Sequence, residues 1–265
     1  MRNIELVQAG WVSSALAQAD VVYRAAEAEA AAGSPSGLRA IAALYPERLH
    51  LVASEESGIH TLADLAGKRV SIDVPGSGTH ANARLLLAAL GLEEGELELS
   101  SLNADEAADA ILFGTIDAYF LMAGAPVRSI EELLLLGLAH LVPVEGEVVA
   151  GLDAAHLFLG RSEIPAGTYP HQSAMPTLHV RAVWVVPAGA DGDLIHAITR
   201  ALWAPRNRAM LDQGHAVGRE ITLETATENL PVPLHPGAER FYMEAGLLGG
   251  AEPDTGSSPA PAAVR

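Results

Sequence analysis

The 265-residue sequence contains no cysteine, which excludes disulfide bonds, thiolate metal sites and a cysteine nucleophile. Basic residues are scarce: 16 Lys and Arg stand against 33 Asp and Glu, for a formal net charge of −17. This acidic excess, with no basic cluster, argues against nucleic-acid binding. No apolar run approaches the roughly 20 residues of a membrane-spanning helix, so no direct membrane insertion is predicted. The first residues also lack the basic and apolar pattern of a secretory signal.

Hydrophobic residues make up 49% of the chain, enough for a sizeable core in one large or two small domains. Apolar runs of strand length alternate with helical patterns, which predicts an α/β fold with mostly parallel sheets. Expected crossings near residues 54–60 and 178–184 divide the chain into two lobes with a cleft between them. The first lobe would comprise residues 1–57 and 183–249, the second residues 58–182, and residues 250–265 would form a disordered tail.

Residues 3–10 have the pattern of the last turns of a helix, with Gly10 as its stop signal. Domains rarely begin partway along a helix. We therefore expect a strand-helix unit of the first lobe upstream of Met1, absent from this sequence.

Residues 66–92 carry the most informative motif, in which an apolar run ending at Val74 leads through Pro75-Gly76-Ser77-Gly78-Thr79 into a helical pattern. A small-residue turn at a helix N-terminus exposes unpaired N–H groups, and the helix dipole adds about half a positive charge there. Thr79 is the expected N-cap. The motif predicts a cradle for a carboxylate or phosphate, although a structural turn that binds nothing fits the same residues.

Enzyme motifs are missing from the sequence. The glycines of the turn match neither the dinucleotide-binding fingerprint nor a phosphate-binding Walker loop. The ten histidines show no metal-binding spacing, and no G-x-S-x-G nucleophile elbow occurs. We predict no catalytic residue, no metal site and no cofactor.

Several segments together resemble the TAXI class of TRAP-transporter solute-binding proteins, and the final one is the most specific. They are ALAQADVVYRA (15–25), LADLAGKRVSIDVPGSGTHANARLLL (62–87), GTIDAYFLMAGAP (114–126), IPAGTYPHQ (164–172) and ITLETATENLPVPLHPGAERFYMEAGL (221–247). The resemblance implies the two-lobed, type II periplasmic-binding-protein fold. It also implies an extracytoplasmic receptor that captures glutamate, glutamine or a similar dicarboxylate by lobe closure. Its partners would be the ligand and the TRAP membrane permease subunits.

Carried over residue by residue, the resemblance implies a ligand pocket that includes the turn motif. The ligand-binding residues would be Gln18, Asp20, Tyr23, Ser77, Gly78, Thr79, Gly124, Pro126 and Tyr169. Ala123 departs from the pattern, since a glycine is common there, and the family's leader and first strand are missing.

Structural roles remain open for the same residues: Asp20 as a helix cap, Gln18 as a partner of backbone groups, and Tyr169 as a packing anchor. Two other functions also remain open, a cytoplasmic α/β enzyme and a ligand-sensing domain, each binding an anionic metabolite at residues 76–79.

Overall fold

The structure, a computed structural model, describes residues 2–33, 36–92 and 95–248; the expected tail at 250–265 lies outside these ranges. Within them the chain forms eight β-strands and nine α-helices. The strands are β1 (Ala15–Gln18), β2 (Leu38–Ser54), β3 (Arg69–Ser71), β4 (Glu98–Ser100), β5 (Ala118–Ala123), β6 (Ala139–Leu141), β7 (Gly160–Ile164) and β8 (Met175–Pro187). The helices are α1 (Arg2–Gln8), α2 (Ala19–Ala31), α3 (Gly78–Ala89), α4 (Ala104–Leu112), α5 (Arg128–Leu135), α6 (Glu147–Ala155), α7 (Gly192–Leu202), α8 (Pro205–Gln213) and α9 (Pro236–Glu244). Short 3-10 helices occupy Leu62–Leu65 and Ala216–Glu220.

The described strands join into one sheet in the order β1-β8-β2-β5-β3-β4, with β6 added to β2 and β7 added to β8. This confirms the expected α/β architecture. Pairing is parallel only where β3 meets β4 and β5, and antiparallel elsewhere. The expectation of mostly parallel strands therefore holds for β4-β3-β5 alone. The reason is that the long strands β2 and β8 run antiparallel to each other and impose that direction on their neighbours.

Strands β2 and β8 connect the two halves of the sheet. Residues 38–48 of β2 pair with residues 187–179 of β8, and from Arg48 onward β2 pairs with β5. Residues 175–179 of β8 pair with β7. We call β1 with residues 38–47 of β2 and 180–187 of β8 the first half of the sheet, and the remaining strand residues the second half. These exchanges of partner occur within one sheet, and the division of the chain into two lobes near residues 54–60 and 178–184 stays a prediction.

A single long strand, β2, contains two apolar runs, residues 38–44 and 49–53, with Pro46-Glu47-Arg48 between them. Its register against β8 shifts between Ala40 and Ala42 and again between Ala43 and Pro46. Pro46, which lacks an N–H, stands at the end of the second shift, where the regular ladder of hydrogen bonds is interrupted, and proline is tolerated at such irregular positions. The bulges allow one strand to continue from one half of the sheet into the other.

Apolar side chains cover both faces of each half, because neighbouring strand residues point to opposite faces. In the second half, Leu51 and Phe120 pack on one face while Val52 and Tyr119 pack on the other. In the first half, Val183 and Val185 belong to the cluster under α1 and α2, and Ala182 and Val186 to the cluster under α7 and α9. Helices flank the sheet on both sides as a result.

An ion pair anchors the C-terminal segment where β2 changes partners. Nη1 and Nη2 of Arg48 donate to Oε1 and Oε2 of Glu220 at 2.9 and 2.6 Å. The Arg48 side chain is only 8% exposed, so its charge depends on this partner for compensation. The pair fixes the 3-10 helix Ala216–Glu220 against the middle of the sheet.

Glu220→Gln should lower the free energy of unfolding by about 2 kcal/mol, because it leaves a buried guanidinium without a charged partner. Glu228→Gln is the matched control: Glu228 is 55% exposed and lies 3.5 Å from Arg181. It should cost less than about 0.5 kcal/mol, as exposed ion pairs contribute little. Urea denaturation of both variants measures the difference, and equal losses would show that burial of Arg48 does not matter.

Candidate functional site

A cavity of about 650 Å³ lies where the first half of the sheet faces the turn before α3. It is lined by residues between positions 2 and 47 and by the turn residues 74–78, which follow β3. They are Arg2, Asn3, Ile4 and Glu5 of α1; Leu16, Ala17 and Gln18 of β1; Val21 of α2; Glu47 of β2; and Val74, Pro75, Gly76, Ser77 and Gly78 of the turn. This volume lies within the range of small-molecule sites.

The turn before α3 has the geometry that its sequence predicts, with one correction. Gly76 has a φ of +86°, which favours glycine. The N-cap of α3 is Ser77, whose Oγ accepts from the N–H of His80 at 3.0 Å, so the prediction of Thr79 as N-cap is wrong. Thr79 lies inside the helix, and its Oγ1 accepts from the N–H of Met122 at 3.0 Å. That bond holds the start of α3 against β5, with Ser77 and Gly78 facing the cavity.

Gln18 ends β1, occupies the N-cap position of α2 and reaches across the cavity wall. Its Nε2 donates to Oε2 of Glu47, while its Oε1 lies in the space that a Cβ on Gly78 would occupy. This Oε1 is buried and has no hydrogen-bond partner among the described residues. The Gln18 amide therefore contacts the first residue of α3 only because that residue is glycine.

Asp20 lies behind the cavity wall and is fully buried. It accepts from Arg24 and, at 3.1 Å, from Nδ2 of Asn82, which also donates to the carbonyl of Gly78 at 2.9 Å. Burial raises the pKa of Asp20, and the charge of Arg24 opposes that rise. Asp20 therefore connects α2 to the first turns of α3 without lining the cavity.

Three more of the predicted ligand residues lie outside the cavity lining. Tyr23 donates from its hydroxyl to Glu27 at 2.7 Å, and its ring centroid lies 5.7 Å from that of Phe158. A Cβ on Gly124 would lie 2.6 Å from Cγ1 of Val217. The carbonyl of Pro126, which follows a cis peptide bond, lies 3.0 Å from Nε2 of His215. Gly124 and Pro126 thus contact residues 215–217 of the C-terminal segment.

Tyr169 is buried in the core of the second half of the sheet, where it joins a hydrogen-bonded chain. Its hydroxyl accepts from the N–H of Val127 at 2.9 Å and lies 2.9 Å from Nε2 of His50. Nδ1 of His50 lies 2.9 Å from the carbonyl of Arg48. A carbonyl only accepts, so Nδ1 carries the proton and Nε2 accepts from Tyr169. This is the packing-anchor geometry that the sequence left open.

The structure thus brings Gln18, Ser77 and Gly78 together on the cavity, with Asp20 directly behind them. Their contact with a ligand, and that of the remaining predicted residues, stays a prediction. Sequence reasoning missed Glu47, which lies in the polar stretch Pro46-Glu47-Arg48 inside an otherwise apolar strand. That interruption of the apolar pattern was the available signal. Burial raises the pKa of Glu47, as does the negative charge of Asp20, and the hydrogen bond from Gln18 opposes the rise.

A family model described as the NMT1-like family matches residues 1–246. The chain belongs to the NMT1-like family. This description does not name the TAXI class, so membership of that narrower class stays a prediction.

Solved structures with a similar fold include a Bordetella bronchiseptica protein, 16% identical with a TM-score of 0.51, over 96% of this chain and 72% of that one. A Xanthomonas citri protein solved with ATP bound is 14% identical with a TM-score of 0.51, over 93% of this chain and 81% of that one. The Escherichia coli periplasmic aliphatic sulphonate-binding protein is 17% identical with a TM-score of 0.49, over 92% and 69% of the respective chains.

The expected α/β class is confirmed: this NMT1-like protein shares with the Bordetella bronchiseptica and Xanthomonas citri proteins a fold in which helices flank a multi-stranded sheet. Across residues 2–33, 36–92 and 95–248, none of the helices combines the length and the apolar character needed to cross a membrane.

The buried His50 should make stability depend on pH. Burial lowers the pKa of His50 from 6.5 to about 4, so between these pH values the unfolded chain binds a proton that the folded chain does not. The free energy of unfolding should therefore fall as the pH drops through this window. At pH 4 the loss from this one residue, relative to neutral pH, should be about 3 kcal/mol.

The measurement compares denaturant unfolding of the wild type and His50→Gln from pH 7 to pH 4. The variant is less stable at pH 7, and the gap should narrow towards pH 4 because the glutamine side chain does not titrate. Parallel curves across the window would contradict the assignment of a neutral, desolvated His50.

Proposed function

We propose that this protein is an extracytoplasmic solute-binding receptor that captures a small carboxylate ligand at the N-terminus of α3 by closure of two lobes. The lobes would be residues 1–57 with 183–249, and residues 58–182. The observation that supports this proposal is the cavity itself, which is lined by residues of both proposed lobes, including residues at the N-termini of α2 and α3.

Backbone geometry supports an anionic ligand. The N-cap and first residue of α3, Ser77 and Gly78, line the cavity, as do the N-cap residue and first turn of α2 through Gln18 and Val21. N–H groups in a first helical turn lack partners within the helix, and the dipole places partial positive charge there. A carboxylate at this point accepts hydrogen bonds from groups that point at it without rearrangement.

Contacts between the two proposed lobes, beside the cavity, support binding by closure. Gln18 packs over Gly78, and Asp20 accepts from Asn82. Strands β2 and β8 pass between the lobes and are the natural hinge. A ligand that contacts both sides favours the closed state, because only that state satisfies both sets of contacts.

The finer assignment rests on the resemblance to the TAXI class. We propose that the ligand is glutamate, glutamine or a related dicarboxylate, and that the closed receptor delivers it to a TRAP-type membrane permease. The net charge of −17 does not oppose an anionic ligand, since surface charge is screened over about 8–10 Å while the cavity amides act at contact distance.

A pair of substitutions at Ser77 tests the anion site without removing the helix cap. Asp and Asn both cap helices well, so Ser77→Asp and Ser77→Asn should fold like the wild type. Ser77→Asp places a negative charge where the ligand carboxylate would bind, and should weaken binding by about tenfold or more. Ser77→Asn adds no charge and should retain binding.

Isothermal titration and thermal shift with amino acids and dicarboxylic acids measure both variants. A ligand at about 100 times its Kd should add roughly 2.7 kcal/mol to wild-type stability. Equal binding by the two variants would place the ligand elsewhere. Stabilisation by phosphorylated compounds alone would instead favour an α/β enzyme or sensing domain that binds an anionic metabolite at residues 76–79.

A further inference from the structure

Two charged residues stand side by side where β2 changes partners, and only one of them has a charged partner. Neighbouring strand residues point to opposite faces. The Arg48 side chain meets Glu220 on one face, while Glu47 lines the cavity on the other. Glu47 accepts a hydrogen bond from Gln18 and forms no ion pair within the described residues. The cavity therefore has in its wall a carboxylate that forms no ion pair within the described part of the chain.

Arg2, exposed on α1, also lines the cavity but forms no ion pair with Glu47, and two other cations of this region have acidic partners elsewhere. Arg24 donates to Asp20, and Arg48 is bidentate with Glu220. Asp20 adds negative charge close to Glu47 and, with burial, raises its pKa. Withdrawal of an uncompensated carboxylate from water is costly, so a cationic group that enters the cavity would be stabilised beside Glu47.

The orientation of the Gln18 side-chain amide indicates the direction of the electric field at the cavity wall. Its NH₂ group, the positive end of the amide dipole, points to Glu47. Its carbonyl oxygen, the negative end, lies against Gly78 at the N-terminus of α3. One amide group spans the distance between an acidic wall and a helix N-terminus. A molecule with an ammonium and a carboxylate on one carbon has its opposite charges at a similar separation.

We propose that Glu47 is the specificity-determining residue of the site, and that it selects ligands bearing an ammonium group next to the carboxylate held at α3. This rests on the proposed carboxylate-binding function and deepens it. An α-amino acid fits both ends of the cavity, whereas a plain dicarboxylate brings negative charge towards Glu47.

L-Glutamate and glutarate are the probes, because they differ only in the α-ammonium group. The wild type should bind glutamate at least about tenfold more tightly than glutarate, as a charge-assisted hydrogen bond to a partly desolvated carboxylate requires. Glu47→Gln keeps the acceptor for Gln18 and nearly the same volume while removing the charge. It should weaken glutamate binding by about tenfold or more and should strengthen glutarate binding.

Glu239→Gln is the control for net charge. Glu239 lies exposed on α9 and outside the cavity lining, so both affinities should stay at wild-type values. The thermal midpoint of each ligand-free variant reports on folding. Glu47→Asp, which retains the charge, should keep the preference for glutamate even if its shorter side chain weakens both affinities.

The outcomes separate this inference from the proposed function. Equal wild-type affinities for the two probes, or a Glu47→Gln variant that changes both affinities by the same factor, would overturn the role of Glu47 and leave the carboxylate site in place. The second result would mean that Glu47 only positions Gln18. Absence of any carboxylate binding by the wild type would overturn the proposed function and this inference with it.

Discussion

The antiparallel pairing of β2 with β8 is the interaction on which the rest of the structure depends. Both strands are long enough to enter each half of the sheet, so every other strand is added to one of them directly or through a neighbour. Two register shifts and Pro46 give β2 the local irregularity that lets it leave β8 and pair with β5. The exchange point brings Glu47 and Arg48 to the centre of the molecule.

At this position the two charged side chains point to opposite faces of the sheet and have different partners. Arg48 is neutralised by Glu220, and the ion pair holds the C-terminal segment in place. On the opposite face, Glu47, Gln18 and the start of α3 line one cavity, where the proposed site would place an acidic side chain opposite a helix N-terminus. A site with both signs of charge distinguishes ligands by where their charges lie, which surface potential alone does not achieve.

The sequence located the turn before α3 because its signal is local. Glycines in the turn and a helix pattern directly after it specify exposed N–H groups regardless of the surrounding fold. The identity of the N-cap, which the sequence predicted as Thr79 and which is Ser77, depends on a distant contact instead. Thr79 is drawn into the helix by its hydrogen bond to Met122, which is 43 residues away in sequence. The role of Tyr169 likewise depended on His50, 119 residues away.

By itself the sequence determined the α/β class, the helix that follows the turn at once and the need for glycine at residue 76, because backbone propensities and helix termini act over a few residues. Only the tertiary structure decided that β2 is one continuous strand, that its pairings are antiparallel and that Glu47 joins Gln18 and Gly78 at one cavity. These features arise from strand register and burial, which bring together residues far apart in the chain and which no short segment encodes.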